Sequence, residues 1–331
     1  MSGAKRAQGS GVVGDGPARP GSAVVEVYLP IAELSLTWPL LLALGAVAGV
    51  LAGMFGVGGG FLLTPLLIFV GVPPAVAVAT QANQVIATSV SGLLTQFQRG
   101  NVDVRMGLIM LMGGLFGSTT GIWIFGILKR IGQIDLTIAI GYVVLLTSIG
   151  VLMLIESVRT WRRRRNPEAP RRKLHQHYLV HRLPLKMRFY KSRLYISALL
   201  PLALGFAIGV MSAILGIGGG FIIVPAMIYI LGMPTLMVIG TSLFQIVFVA
   251  INVTFLQATQ NHTVDVVLAL LLILGGAIGA PIGGRVAAKL PSFQLRGLLA
   301  LLILAMATEL LFELFAQPGA IYTLGAAVHG P

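Results

Sequence analysis

An all-α polytopic membrane protein built from two homologous halves is the fold class this sequence predicts. Three observations point there: the apolar composition, the spacing of the apolar runs and a long self-similarity. Of 331 residues, 56% are hydrophobic and 10% charged, whereas a soluble domain carries roughly a quarter charged residues. No soluble core could absorb so much apolar surface. The formal charge of +13 would suggest a nucleic-acid partner if it were spread over a folded surface. It is concentrated instead: 13 of the 23 Lys and Arg lie between Arg159 and Arg193. The rest of the chain is nearly neutral, so no nucleic-acid partner is expected. The lack of cysteine excludes a disulfide framework, thiolate metal sites and a cysteine nucleophile.

Residues 1–34 open with MSGAKRAQGSGVVGDGPARPGS, which lacks the apolar core that follows the cations of a secretory signal. A flexible tail is expected there. Apolar runs follow at 38–56, 61–72, 75–97, 104–128 and 134–155, and recur at 194–215, 221–232, 236–258, 264–289 and 293–315. A helix needs about 20 apolar residues to cross a hydrocarbon core about 30 Å thick, and the second run of each five is too short. The expected organisation is a first transmembrane repeat over 35–155, a basic cytoplasmic linker over 156–193, a second repeat over 194–316 and a tail over 317–331.

The irregularity is duplicated. At an offset of 160, GAVAGVLAGMFGVGGGFLLTP (Gly45 to Pro65) and GFAIGVMSAILGIGGGFIIVP (Gly205 to Pro225) share nine identities in 21 positions. One residue of shift later, Pro73 pairs with Pro234, Thr80 with Thr241 and Gln84 with Gln245. After another, Asp103 pairs with Asp265, and Gly113-Gly114 with Gly275-Gly276. Two copies of a five-element unit therefore form one body with the linker as their seam.

The number of crossings per unit decides whether the copies are parallel or inverted. The linker belongs on the cytoplasmic side of a cell inner membrane, because thirteen cations beside two membrane segments resist translocation. Five crossings per unit then place Arg99, Arg105, Arg285, Lys289 and Arg296 inside, and the loop TQNHT and the carboxyl tail outside. Lys129 and Arg130 oppose this assignment. Inverted repeats with about eight to ten membrane segments in all are the expectation. A re-entrant second segment, leaving four crossings per unit, is the open alternative.

In GVGGGF the glycines admit backbone angles that side chains forbid, and the apolar run after them ends the motif at Thr64-Pro65. A helix starting inside the membrane presents unpaired amides and a positive dipole end, a site for an anion. Gly58, Gly59 and Gly60, with Gly218, Gly219 and Gly220, are the candidates. The small-xxx-small spacing of Gly45, Gly49 and Gly53 reads instead as close helix packing. The run is not a dinucleotide fingerprint, since Phe61 stands where the last glycine would fall.

Polar residues follow each short run: Thr80, Gln81, Asn83, Gln84, Thr88 and Ser89, then Thr241, Ser242, Gln245 and Asn252. Such groups inside an apolar body hydrogen-bond neighbouring helices or face a wet cavity. Recurrence at matched positions beside the broken segments nominates Thr80, Gln84, Thr241 and Gln245 as substrate contacts. Asp103 and Asp265 fall at matched helix starts and read as caps. Glu309 is a candidate for a coupling proton or for snorkelling to the interface. His175, His177 and His181 lie among arginines without a carboxylate cluster, so no metal site is expected.

The doubled GxxxG…GxGGGF pattern, with PPAVAVATQANQ after the first copy and GMPTLMVIGTSLFQ after the second, resembles the TauE/SafE family, also called the sulfite exporter or toluene-sulfonate uptake permease family. The likeness covers 35–315. It implies a carrier for sulfite, sulfonates or related sulfur-containing anions, with motif positions Gly56, Gly58, Gly59, Gly60 and Pro65, and Gly216, Gly218, Gly219, Gly220 and Pro225. The long basic linker departs from the simplest layout of that family.

The expected function is thus secondary transport of a small anion, with a passive anion channel as the alternative. The lack of HExxH, GxSxG and P-loop patterns argues against an enzyme, and no cofactor is expected. The expected partners are the anionic substrate and the bilayer, with anionic lipid headgroups at the linker. A homodimer is compatible with this reading.

Overall fold

The computed structural model describes residues 26–55, 60–165, 185–192, 194–287 and 292–316. The first half runs β1 (Glu26–Leu29), β2 (Leu34–Thr37), α1 (Trp38–Phe55), α2 (Gly60–Phe69), α3 (Pro74–Gln98), α4 (Val104–Ile131) and α5 (Ile134–Arg165). The second repeats that order with β3 (Lys186–Phe189), β4 (Leu194–Ser197), α6 (Leu199–Leu215), α7 (Gly220–Tyr229), α8 (Thr235–Leu256), α9 (Val266–Ala287) and α10 (Ser292–Ala316). A π-helical turn, Gln257–Asn261, extends α8. Among the described residues four helices are long and apolar enough to cross a membrane: α4, α5 over Ile134–Arg159, α8 with its extension over Met237–Asn261, and α9 over Val266–Val286. The 25 residues of α3 include the polar series Thr80 to Ser89, which dilutes its apolar character.

Two antiparallel hairpins had not been expected. In the first, Glu26 pairs with Thr37 and Leu29 with Leu34, so β1 lies inside the segment read as a tail, and Leu29 is fully buried. In the second, Lys186 pairs with Ser197 and Phe189 with Leu194, so β3 lies in the segment read as linker and β4 opens the second repeat. α5 also runs on to Arg165. The tail over 317–331 and the linker histidines lie outside the described residues.

The main helix contacts all join one half to the other: α1 with α9, α4 with α6, α5 with α10 and α3 with α8. Glycine makes the first two pairs possible. A Cβ at Gly49 would lie 2.5 Å from the Gly276 carbonyl oxygen, and one at Gly53 2.1 Å from that of Ala280. A Cβ at Gly205 would lie 2.2 Å from the Met110 oxygen, and one at Gly209 2.3 Å from that of Gly114. This is the close backbone approach that small residues provide in membrane helix pairs.

Two clusters fix the direction of each segment. Leu29 of the first hairpin packs with Leu41 early in α1, Leu67 late in α2, Val72 just past it, Val76 early in α3 and Leu268 early in α9. α1 therefore leaves the end of the body to which α2 returns. The equivalent cluster joins Phe189 of the second hairpin to Met106 early in α4, Met227 late in α7 and Val238 early in α8. A helix of 25 residues spans about 37 Å at 1.5 Å per residue, so α3 separates the two clusters to opposite ends. α3, α4 and α5 each traverse the body, and the first half begins at one end and finishes at the other.

Candidate functional site

Matched aspartates knot the halves together at the two ends. Asp103 is the N-cap of α4, where its Oδ1 accepts from the Met106 N–H at 3.2 Å. Its Oδ2 accepts from the Ser192 N–H at 3.0 Å and the Ser192 hydroxyl at 2.6 Å. Its own N–H donates to Thr241 Oγ1 at 3.0 Å. Asp265 serves α9 in the same way, accepting from the Leu268 N–H at 3.1 Å and the Ile31 N–H at 3.1 Å, and donating to Thr80 Oγ1 at 3.0 Å. The capping was legible in the sequence, but the hairpin contacts were not. The hydroxyl oxygens of Thr80 and Thr241 thus hold the knots.

The glycine runs meet at the centre. Gly58 and Gly59 lie outside the described residues, and Gly60 opens α2. In the second half Gly216, Gly218 and Gly219 have φ of +67°, +66° and +74°, angles that residues with a Cβ resist. Gly219 is the N-cap of α7, which Gly220 opens. Both helices have ten residues, about 15 Å, or half a hydrocarbon core. Phe61 and Phe221, next after the glycines, stack with ring centroids 4.3 Å apart and planes 8° apart. The two half-helix starts are therefore neighbours. Val85 of α3 fills the space beside them: a Cβ at Gly60 would lie 2.5 Å from its Cγ2, and one at Gly218 2.5 Å from its Cγ1.

Gln81 lies at this centre, and two further buried glutamines lie at the flanking helix crossings. Gln81 donates from Nε2 to the Gly216 carbonyl oxygen, while its Oε1 faces Gly60. Gln84 donates from Nε2 to the Gly45 carbonyl oxygen at 3.2 Å and abuts Gly276 of α9. Gln245 abuts Gly114 of α4 in the equivalent place. Oε1 of Gln81, Oε1 of Gln84 and both amide atoms of Gln245 are buried without a hydrogen-bond partner among the described residues. Buried polar groups are nearly always paired, and leaving one unpaired costs about 1–3 kcal/mol. A ligand that supplies the missing partners would recover that cost.

Gln81, Val85 and the phenyl pair were missed as site residues. Duplication was the signal used, and it could not find Gln81, because Ser242 occupies the equivalent position. Phe61 and Phe221 were identifiable in principle, being matched residues directly after the glycines. Glu309 is exposed on α10 and is not turned into this centre.

The sequence pattern of the family described as "Sulfite exporter TauE/SafE" matches residues 41–310, most of the chain. The chain belongs to the sulfite exporter TauE/SafE family. It is 30% identical over 278 residues to a "Probable membrane transporter protein" of Xylella fastidiosa (strain 9a5c), covering 82% of this chain and 94% of that one. It is 25% identical over 286 residues to the "Probable membrane transporter protein YunE" of Bacillus subtilis (strain 168), covering 84% and 98% respectively. The "Sulfite exporter TauE/SafE family protein 1" of Arabidopsis thaliana is 33% identical over 82 residues, 24% of this chain and 18% of the plant protein. No solved structure shows significant similarity. Family membership and the apolar helices make this a multi-pass membrane transporter of the TauE/SafE family. Both glycine motifs and all three glutamines fall within the matched residues.

Proposed function

We propose that this TauE/SafE protein is a secondary transporter of small sulfur-containing oxyanions, sulfite or sulfonates, across a cell inner membrane. The observation that carries the proposal is the meeting of two half-helix starts, Gly60 of α2 and Gly220 of α7, beside Gln81, whose buried Oε1 has no hydrogen-bond partner among the described residues. Helix starts supply N–H donors and a positive dipole end, which suit an anion held without a counter-charge and therefore able to leave. Substrate contacts are assigned to Gly58, Gly59, Gly60, Gly218, Gly219 and Gly220 and to Gln84 and Gln245, with the O–H protons of Thr80 and Thr241 as further donors. Phe61 and Phe221 are buried, so the centre is shut within the body, which supports a carrier over an open channel.

The halves act as inverted repeats, and the linker is cytoplasmic, where its cations meet anionic lipid headgroups. Uptake into proteoliposomes of sulfite, sulfoacetate, thiosulfate, sulfate and chloride, with and without a pH gradient, tests the reading. Saturable uptake of sulfite or sulfoacetate is expected. Uptake of none of these anions, or channel-like flux in single-channel recording, would refute it.

A further inference from the structure

At the α2 start the proposed site presents an acceptor, a polarity wrong for an anion, and that group narrows the substrate. Gln81 of α3 is fully buried, and the Gly216 carbonyl lies on one side of its amide. A carbonyl oxygen only accepts, so the amide turns its NH2 to Gly216 and its oxygen the other way. That oxygen faces the start of α2, 3.2 Å from where a Cβ on Gly60 would lie. No donor bonds it among the described residues. The α2 start offers N–H donors at the same place. A ligand seated there meets donors on one side and a fixed acceptor on the other. A fully deprotonated oxyanion would press a lone pair against Oε1, whereas one that keeps an O–H would donate it. The second half has no matching acceptor, since Ser242 stands at the equivalent position and its hydroxyl donates to the Ile239 carbonyl oxygen at 3.0 Å.

We infer that Gln81 makes the transporter selective for oxyanions that keep one proton, by accepting a hydrogen bond from that O–H at Oε1. This rests on the anion-transport reading above. Hydrogensulfite and methanesulfonate carry equal charge, but only the first has a proton to donate. Labelled sulfite uptake into proteoliposomes holding the full chain is competed with each, at an acidic pH where hydrogensulfite predominates. At least about tenfold more methanesulfonate than unlabelled sulfite is expected for half-inhibition, because a site built to bond an O–H rejects an analogue without it. In Gln81→Met the gap should close.

A pH series on the unmodified protein covers the case in which that variant fails to fold. At fixed total sulfite, uptake should fall as pH rises and hydrogensulfite loses its proton, while methanesulfonate uptake stays flat. Equal potency of the two competitors, a flat sulfite profile, or a folded Gln81→Met that keeps the gap would overturn the inference while leaving anion transport intact. Uptake of neither anion would overturn the transport reading itself, and this inference with it.

Discussion

Thr80 and Thr241 each place a hydroxyl oxygen against an aspartate N–H of the other half, and valine at either position would keep the volume while removing the acceptor. The orphaned N–H is buried, so Thr80→Val or Thr241→Val should cost about 1–3 kcal/mol, read as a lower midpoint in detergent unfolding. Serine should restore most of it. An unchanged midpoint in both valine variants would dissolve the knots as stabilising elements. Gln245 predicts the opposite trade, because neither amide atom has a partner among the described residues. Gln245→Met removes both unpaired groups at similar volume, so the protein should be as stable or more so. Anion uptake should nevertheless fall, since the amide is assigned to the substrate. Full uptake in a stable Gln245→Met protein would take that residue out of the site.

The glycines divide by what surrounds them, and the element scale is where that division shows. Gly219 has positive φ, and a Cβ there would lie 2.7 Å from Ile208 Cγ2. Gly219→Val should therefore displace the α7 start and abolish transport. Gly284, within α9, has nothing within 4 Å of a Cβ, so Gly284→Ala should be tolerated and serves as the control. Equal transport by the two variants, at matched membrane levels, would contradict a required backbone turn at Gly219. The sequence made the half-helices legible because glycine runs and short apolar runs are local signals. It made the caps legible because Asp103 and Asp265 begin matched helices. The hairpins were hidden: four-residue strands such as KMRF and LSLT carry little periodicity, and their stability comes from distant partners such as Asp265. Gln81 was hidden for a related reason, since its meaning depends on Gly216, 135 positions away in sequence.

At the scale of the whole molecule, orientation follows from charge once the path of the chain is known. The first half begins at one end of the body and finishes at the other, so the linker is opposite both the first hairpin and the end of α10. The hairpins differ in charge accordingly: the first carries Glu26 and Glu33 and no cation, while the sequence of the second carries Lys186, Arg188, Lys191 and Arg193. Positive residues are retained on the cytoplasmic side, so the proposed orientation has the second hairpin and the linker there. Lys129 and Arg130, at the end of α4, oppose this vote, but the structure weakens their objection. The Lys129 ammonium donates to the Asn261 carbonyl oxygen at 2.7 Å, at the end of the π-helical turn where a cation complements the helix dipole. A reporter inserted at 166–184 should therefore be cytoplasmic, and reporters before Glu26 and after Ala316 periplasmic. Changing Arg162 to Arg165 to glutamine should yield mixed orientation while leaving the anion affinity of correctly inserted protein unchanged. A carboxyl terminus on the same side as the linker would refute the inverted arrangement, because α6 to α10 would then have to cross an even number of times.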